Sequence, residues 1–178
     1  AKVGLGESFD VISREAALLI NNVLLVVAAG AVMLGTLYPL FLDALGGGKI
    51  SVEPPYFDMV FPIIMAPLLF LIAVGPLAKW KKDEVPGIAR RARWALGVAI
   101  VTAIAVPLAM GRWKPLVAIG VLLGAWIATA GFINLRERLG ALPDAMRGKM
   151  RHLPRAYYGM LLAHFGLAVF VVGVTLVK

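Results

Sequence analysis

Residues 156–177 read AYYGMLLAHFGLAVFVVGVTLV, a stretch without a single Asp, Glu, Lys or Arg. An α-helix rises about 1.5 Å per residue and the hydrocarbon core of a bilayer is about 30 Å thick, so about 20 such residues cross it. This stretch is long enough to span a membrane. It also carries one ionisable side chain, His164, well inside the apolar run.

Four further stretches have the same character: 16–42, 59–78, 94–110 and 115–133, none with an acidic or basic residue. The composition agrees. The 178 residues are 61% hydrophobic and only 16% charged, with a mean hydropathy of +0.88. Counting the 19 glycines and setting aside the 4 tyrosines, the apolar share is roughly 70%, against about 45–50% in soluble domains. A soluble fold of this size still exposes about 30% of its chain area and could not hide so much. The sequence therefore predicts an all-α integral membrane protein, a single bundle of five transmembrane helices.

The formal net charge is +8. In a soluble domain such an excess would suggest nucleic acid, but here the basic residues sit in short runs between spans. Of 18 Lys and Arg, only Lys49, Arg112, Lys114 and Lys178 fall on the side opposite the N-terminus. The other fourteen lie in the N-terminal tail and in the second–third and fourth–fifth connections. Short cytoplasmic loops carry the excess of basic residues, so the N-terminus is expected in the cytoplasm and the C-terminus on the outer, periplasmic side. Trp80, Trp94, Tyr157 and Tyr158 then sit at the inner boundary and Tyr38, Tyr56 and Trp113 at the outer one, where amphipathic rings prefer to lie. The basic loops are read as topology signals touching anionic membrane lipid, with no nucleic-acid partner.

The connections differ. Gly111-Arg112-Trp113-Lys114 is short enough to make spans three and four antiparallel neighbours. Gly46-Gly47-Gly48 and Pro54-Pro55 predict a flexible turn followed by an extended segment, with a helix starting at the interface near Tyr56-Phe57. Residues 136–150 could form a short basic surface helix, and Pro62, Pro67, Pro76 and Pro107 are expected to kink their spans.

His164 lies eight residues beyond Ala156, about 12 Å in and roughly 3 Å short of the midplane. An ionisable group at that depth is costly and calls for a functional partner. Neutral imidazole is a common metal ligand and suits iron. Ala156, Gly159, Ala163, Gly166 and Gly173 form a small-residue seam on the same helix, where another helix or a flat ligand could approach. Two readings stay open on this spacing: one axial ligand of a buried haem, or an interhelical hydrogen bond to Asn21, Asn22 or Thr129. Asn21 and Asn22 enter span one from the same side, where an amide could receive the second imidazole N–H or simply join two helices. His152 sits in the basic loop as a solvated residue. With no cysteine there is no thiolate site, and no acidic dyad, nucleophile triad or phosphate loop is present.

Several words of the sequence resemble a known family in the right order. They are Ser13-Arg14-Glu15 with Asn21-Asn22, Gly35-Thr36-Leu37-Tyr38-Pro39, Ile50-Ser51-Val52, Pro54-Pro55-Tyr56-Phe57 and Tyr158-Gly159-Met160-Leu161-Leu162-Ala163-His164-Phe165-Gly166. They resemble a central stretch of the CcmF family of cytochrome c-type biogenesis haem lyases and its NrfE relatives. The resemblance is strongest over residues 8–62 and 154–175. It implies that His164 is an axial iron ligand of a membrane-embedded haem b. It also implies that the whole protein is a thioether-forming lyase of the bacterial inner membrane. Its partners would be a haem chaperone, apocytochrome c and other maturation subunits. The family's tryptophan-rich outer loop, its two flanking histidines and its second transmembrane histidine have no counterpart here, and Glu53 stands where glycine is expected. An internal portion of a longer chain is thus expected, with no catalytic residue of its own and the second axial ligand elsewhere. The competing readings are a membrane scaffold or transporter subunit, with His164 as helix glue or proton relay, and an interaction module docking through its basic loops. A transporter would show a pair of broken helices in inverted symmetry, and only span two is proline-rich.

Overall fold

The computed structural model describes residues 12–52, 54–78, 84–111, 113–139 and 153–177. Among these it contains five long helices and no strand: α1 (Arg14–Ala44), α2 (Pro54–Val74), α3 (Val85–Ala109), α4 (Pro115–Leu139) and α5 (Arg155–Val177). A 3₁₀ turn, Gly75–Leu77, ends α2. All five are long and apolar enough to cross a membrane, so the chain is a multi-pass membrane protein of the expected all-α class.

The helices outrun the apolar stretches, most of all α3, which begins at Val85 rather than near Trp94. An apolar run measures the hydrocarbon, whereas a helix continues wherever propensity allows. Arg90, Arg91 and Arg93 extend α3, and Arg136, Glu137 and Arg138 extend α4, since long charged side chains can cover apolar surface with their stems while the charge stays in a polar region. The expected surface helix over 136–150 is corrected accordingly: its first residues are the last turn of α4, and the rest lies outside the described residues, as do His152, Glu53 and Trp80. The extended segment expected at Pro54-Pro55 is also corrected, since these prolines open α2. A proline at the first helical position forgoes an N–H that would have had no partner. Pro62 and Pro67 stay within a single α2, while Pro76 falls in the 3₁₀ turn.

Packing is centred on α4, the most buried helix, which lies against α3, α5 and α2, while α1 packs on α2. The short α3–α4 hairpin turns at Gly111 with φ +64°, and α3 and α4 are the antiparallel neighbours its length predicts. The α3 side of their contact is a small-residue stripe, Ala92, Ala95, Ala99 and Ala103, all buried, and the Thr129 hydroxyl of α4 lies 3.4 Å from the Ala95 carbonyl oxygen. Alanines let the two backbones come close, the source of helix association in lipid, where burial of apolar area gives no driving force.

At the N-terminus Ser13 caps α1, its Oγ accepting from the Ala16 N–H at 3.1 Å. Further along, two of the quoted words meet. The Tyr56 hydroxyl donates to the Ala31 carbonyl at 3.1 Å, and the Tyr56 and Phe57 rings stand edge to face, centroids 5.1 Å apart, over Gly35. A methyl on Gly35 would stand 2.8 Å from Tyr56 Cε1 and 2.9 Å from Phe57 Cζ. Gly35→Ala should therefore push α2 off α1 and cost about 1–3 kcal/mol as overpacking does. A thermal melt in detergent reads this, and an unchanged midpoint would mean the two rings swing aside freely.

Candidate functional site

His164 is half-buried on α5. Its Nδ1 lies 2.7 Å from the carbonyl oxygen of Met160, one turn earlier in the same helix. A carbonyl can only accept, so Nδ1 carries the proton and donates. In the neutral ring Nε2 is then the unprotonated nitrogen, and no hydrogen bond reaches it among the described residues. A backbone carbonyl holding Nδ1–H is a common way to fix the tautomer and orientation of a metal-binding imidazole.

The neighbours expected for His164 are elsewhere. Asn21 and Asn22 are on α1, which packs on α2, whereas α5 packs on α4, and the Asn21 Oδ1 is buried with no hydrogen-bond partner. Thr129 donates to the Ala125 carbonyl of its own helix at 2.5 Å. The outer hydrogen bond to His164 is thus supplied by the local backbone, which an i, i+4 spacing always offers. The small-residue seam is left open among the described residues. Ala156, Gly159, Ala163, Gly166 and Gly173 are all exposed, and a Cβ built on any of the three glycines meets nothing within 4 Å. The seam makes no contact with α4, and His164 sits one step round the helix from it.

Close approach occurs instead on α4. Gly120 and Gly124 receive Thr175 and Val172: a Cβ on Gly124 would stand 2.5 Å from Val172 Cγ2 and 3.1 Å from the Ala168 carbonyl oxygen, and one on Gly120 would overlap Thr175. This Gly-Val-Leu-Leu-Gly word is a GxxxG pattern and was the readable signal for the α4–α5 contact. Beside it, α2, α4 and α5 enclose an apolar groove of about 480 Å³, lined in part by Phe57, Phe61, Met65, Leu123, Leu167 and Val171. Leu167 and Val171 line the groove and follow His164 by three and seven residues, so they share a flank of α5 with it, although His164 itself is not among the lining residues.

Toward the basic end, a polar chain ties three elements together. Asn134 Nδ2 donates to the Pro76 carbonyl at 2.7 Å, its Oδ1 accepts from the Tyr157 hydroxyl at 2.8 Å, and the Arg138 guanidinium lies 4.7 Å from the Tyr157 ring centroid. Asn134 and Tyr157 are both buried. Every polar atom in it has a partner, the condition under which a buried network stabilises. Trp126, which the sequence places near mid-span, finds a partner the same way: its Nε1 donates to the Phe70 carbonyl at 3.1 Å and its ring stacks on Phe70 at 5.4 Å.

The arrangement suits a particular kind of metal. No group of three or more His, Cys, Asp or Glu able to hold an ion occurs among the described residues. A lone imidazole with its lone pair free cannot retain a bare cation. It can cap an iron that brings four ligands of its own in a macrocycle.

No family model matches the sequence, but curated proteins do. The chain is 43% identical to the cytochrome c-type biogenesis protein CcmF of Pseudomonas aeruginosa over 94% of its length and 35% identical to that of Escherichia coli over 91%. It is 30% identical to NrfE of Haemophilus influenzae over 93%. A solved structure, the cytochrome c haem lyase CcmF, superposes with a TM-score of 0.69 at 27% identity, covering 93% of this chain. In each case the chain spans about a quarter of the relative's length. Five apolar helices in the CcmF arrangement and this run of identities lead to one conclusion: the chain is a partial CcmF-like segment.

Proposed function

We propose that this segment serves cytochrome c maturation by holding a haem b in the membrane, with Nε2 of His164 as one axial iron ligand. The observation that carries the reading is the Nδ1–H bond to the Met160 carbonyl, which turns the unprotonated nitrogen outward. The relatives named as cytochrome c biogenesis proteins and as a haem lyase support the wider role. When bound, the haem supplies one-electron chemistry, its potential set by axial ligand, hydrogen bonding and burial. What this chain's residues do is bind and orient: His164 donates its lone pair, the Met160 carbonyl strengthens that donation, and the groove residues exclude water. The second axial ligand belongs to the rest of the protein. The whole protein attaches haem to apocytochrome c through thioether bonds, receiving it from a haem chaperone and working with other maturation subunits. The segment lies in the bacterial inner membrane with its N-terminus in the cytoplasm and its C-terminus on the periplasmic side, a reading supported by the distribution of basic residues between spans.

Complementation tests the role. In a strain lacking its own copy, the intact protein carrying His164→Ala should yield more than about tenfold less haem-stained c-type cytochrome than wild type at equal membrane abundance, since even the partners of a metal ligand are worth 10–100-fold. Wild-type levels from the variant would remove His164 from the maturation pathway.

A further inference from the structure

The charged end of the α3–α4 hairpin holds a second cavity, unconnected with His164. It is an open groove of about 930 Å³ between the first half of α3 and the last turns of α4. Its rim carries Arg90, Arg91, Arg93 and Arg136 against the single carboxylate of Glu137. Arg91 already has an interaction partner, and among the described residues none of Arg90, Arg93 and Arg136 is in an ion pair. Arg93 lies 5.6 Å from the Trp94 ring centroid, which orients the fork without neutralising it. Below the rim the walls are apolar: Trp94, Val98 and Phe132 line the groove and are 69%, 46% and 59% exposed.

The geometry points to a binding site for one anionic phospholipid, its phosphate among Arg90, Arg93 and Arg136 and an acyl chain along Trp94, Val98 and Phe132. The two halves of the groove select this ligand together. Guanidinium forks recognise phosphate oxygens bidentately and are less strongly hydrated than ammonium groups. Free phosphate would use the rim alone and leave the apolar wall bare. A neutral phospholipid would fill the wall but meet an uncompensated positive rim. The depth order, charge at the helix ends and aromatic ring just below, is that of headgroup and acyl boundary. Scattered basic loops attract anionic lipid diffusely, whereas three guanidiniums on two packed helices define a place.

Native mass spectrometry of the protein purified intact in detergent, titrated with phosphatidylglycerol, phosphatidylcholine or inorganic phosphate, tests this. Wild type should bind one phosphatidylglycerol at least tenfold more tightly than phosphatidylcholine, and excess inorganic phosphate should not displace it. Arg90→Gln/Arg136→Gln should lose that preference by about tenfold, the size expected for losing a charge-assisted contact, while Arg90→Lys/Arg136→Lys keeps part of it. Should the double variant fail to fold, Arg136→Gln alone should give a several-fold loss. Equal binding of the two lipids, undiminished phosphatidylglycerol binding by the Gln variants, or a groove inaccessible because the remainder of the protein covers it would each overturn the proposal. The haem absorption of the same samples should not change.

Discussion

Replacing His164 by alanine should remove or displace the b-type Soret band of the intact protein purified in detergent, while its far-ultraviolet helix signal is retained. The size of the effect follows from the site. Among the described residues His164 is the only histidine, so no second imidazole stands ready to take over. Wild type should give the reduced spectrum of a six-coordinate haem b, and His164→Ala a five-coordinate or haem-free spectrum. Imidazole added to the variant should restore the band, because the flank of α5 and the apolar groove beyond it are untouched by the truncation. His164 is also only half-buried and hydrogen-bonds within its own helix, so its loss strands no distant partner and the fold should survive. A well-folded variant with an unchanged spectrum would end the ligand assignment. Wild type without haem would return the histidine to the scaffold reading.

The sequence was legible where a physical constraint acts over a contiguous stretch. Bilayer thickness dictates apolar length, so all five helices could be read off the chain. It was less legible at their ends, because α3 and α4 carry arginines as readily as leucines once past the hydrocarbon. Contacts between helices were the hardest part. A small-residue seam marks where a helix can be approached, not where it is. The seam on α5 faces outward, while the working one is Gly120 and Gly124 on α4. The join between Asn134, Pro76 and Tyr157 has no local sign, since its members are distant in sequence and meet only after α2, α4 and α5 have packed. His164 stood out because an ionisable group in an apolar run is costly wherever the helix ends up. Its true hydrogen-bond partner was four residues away throughout, hidden because a backbone carbonyl leaves no trace in a residue pattern.

The α4–α5 seam should matter for His164 as much as the ring itself. Gly124→Leu should lower the stability of the intact protein in detergent by about 3 kcal/mol, the upper part of the range for overpacking. The reason is the neighbour. Val172 Cγ2 would stand 2.5 Å from the new Cβ, and the Ala168 carbonyl oxygen, a backbone atom that no rotamer change can withdraw, would stand 3.1 Å away. Relief requires α5 as a whole to move away from α4, carrying His164 with it and leaving the imidazole chemically intact. Gly166→Leu, on α5 itself, serves as the control, because its Cβ meets nothing within 4 Å and its cost should stay within about 0.5 kcal/mol. Denaturant titration compares stabilities, and the Soret band reports on the iron's coordination. The expected result is a broadened or weakened band for Gly124→Leu and an unchanged one for Gly166→Leu. A destabilised Gly124→Leu protein with an unaltered band would show that α4 supports α5 without positioning its histidine. An equal loss at Gly166 would place another helix on the outward seam, one supplied by a part of the protein beyond these five spans.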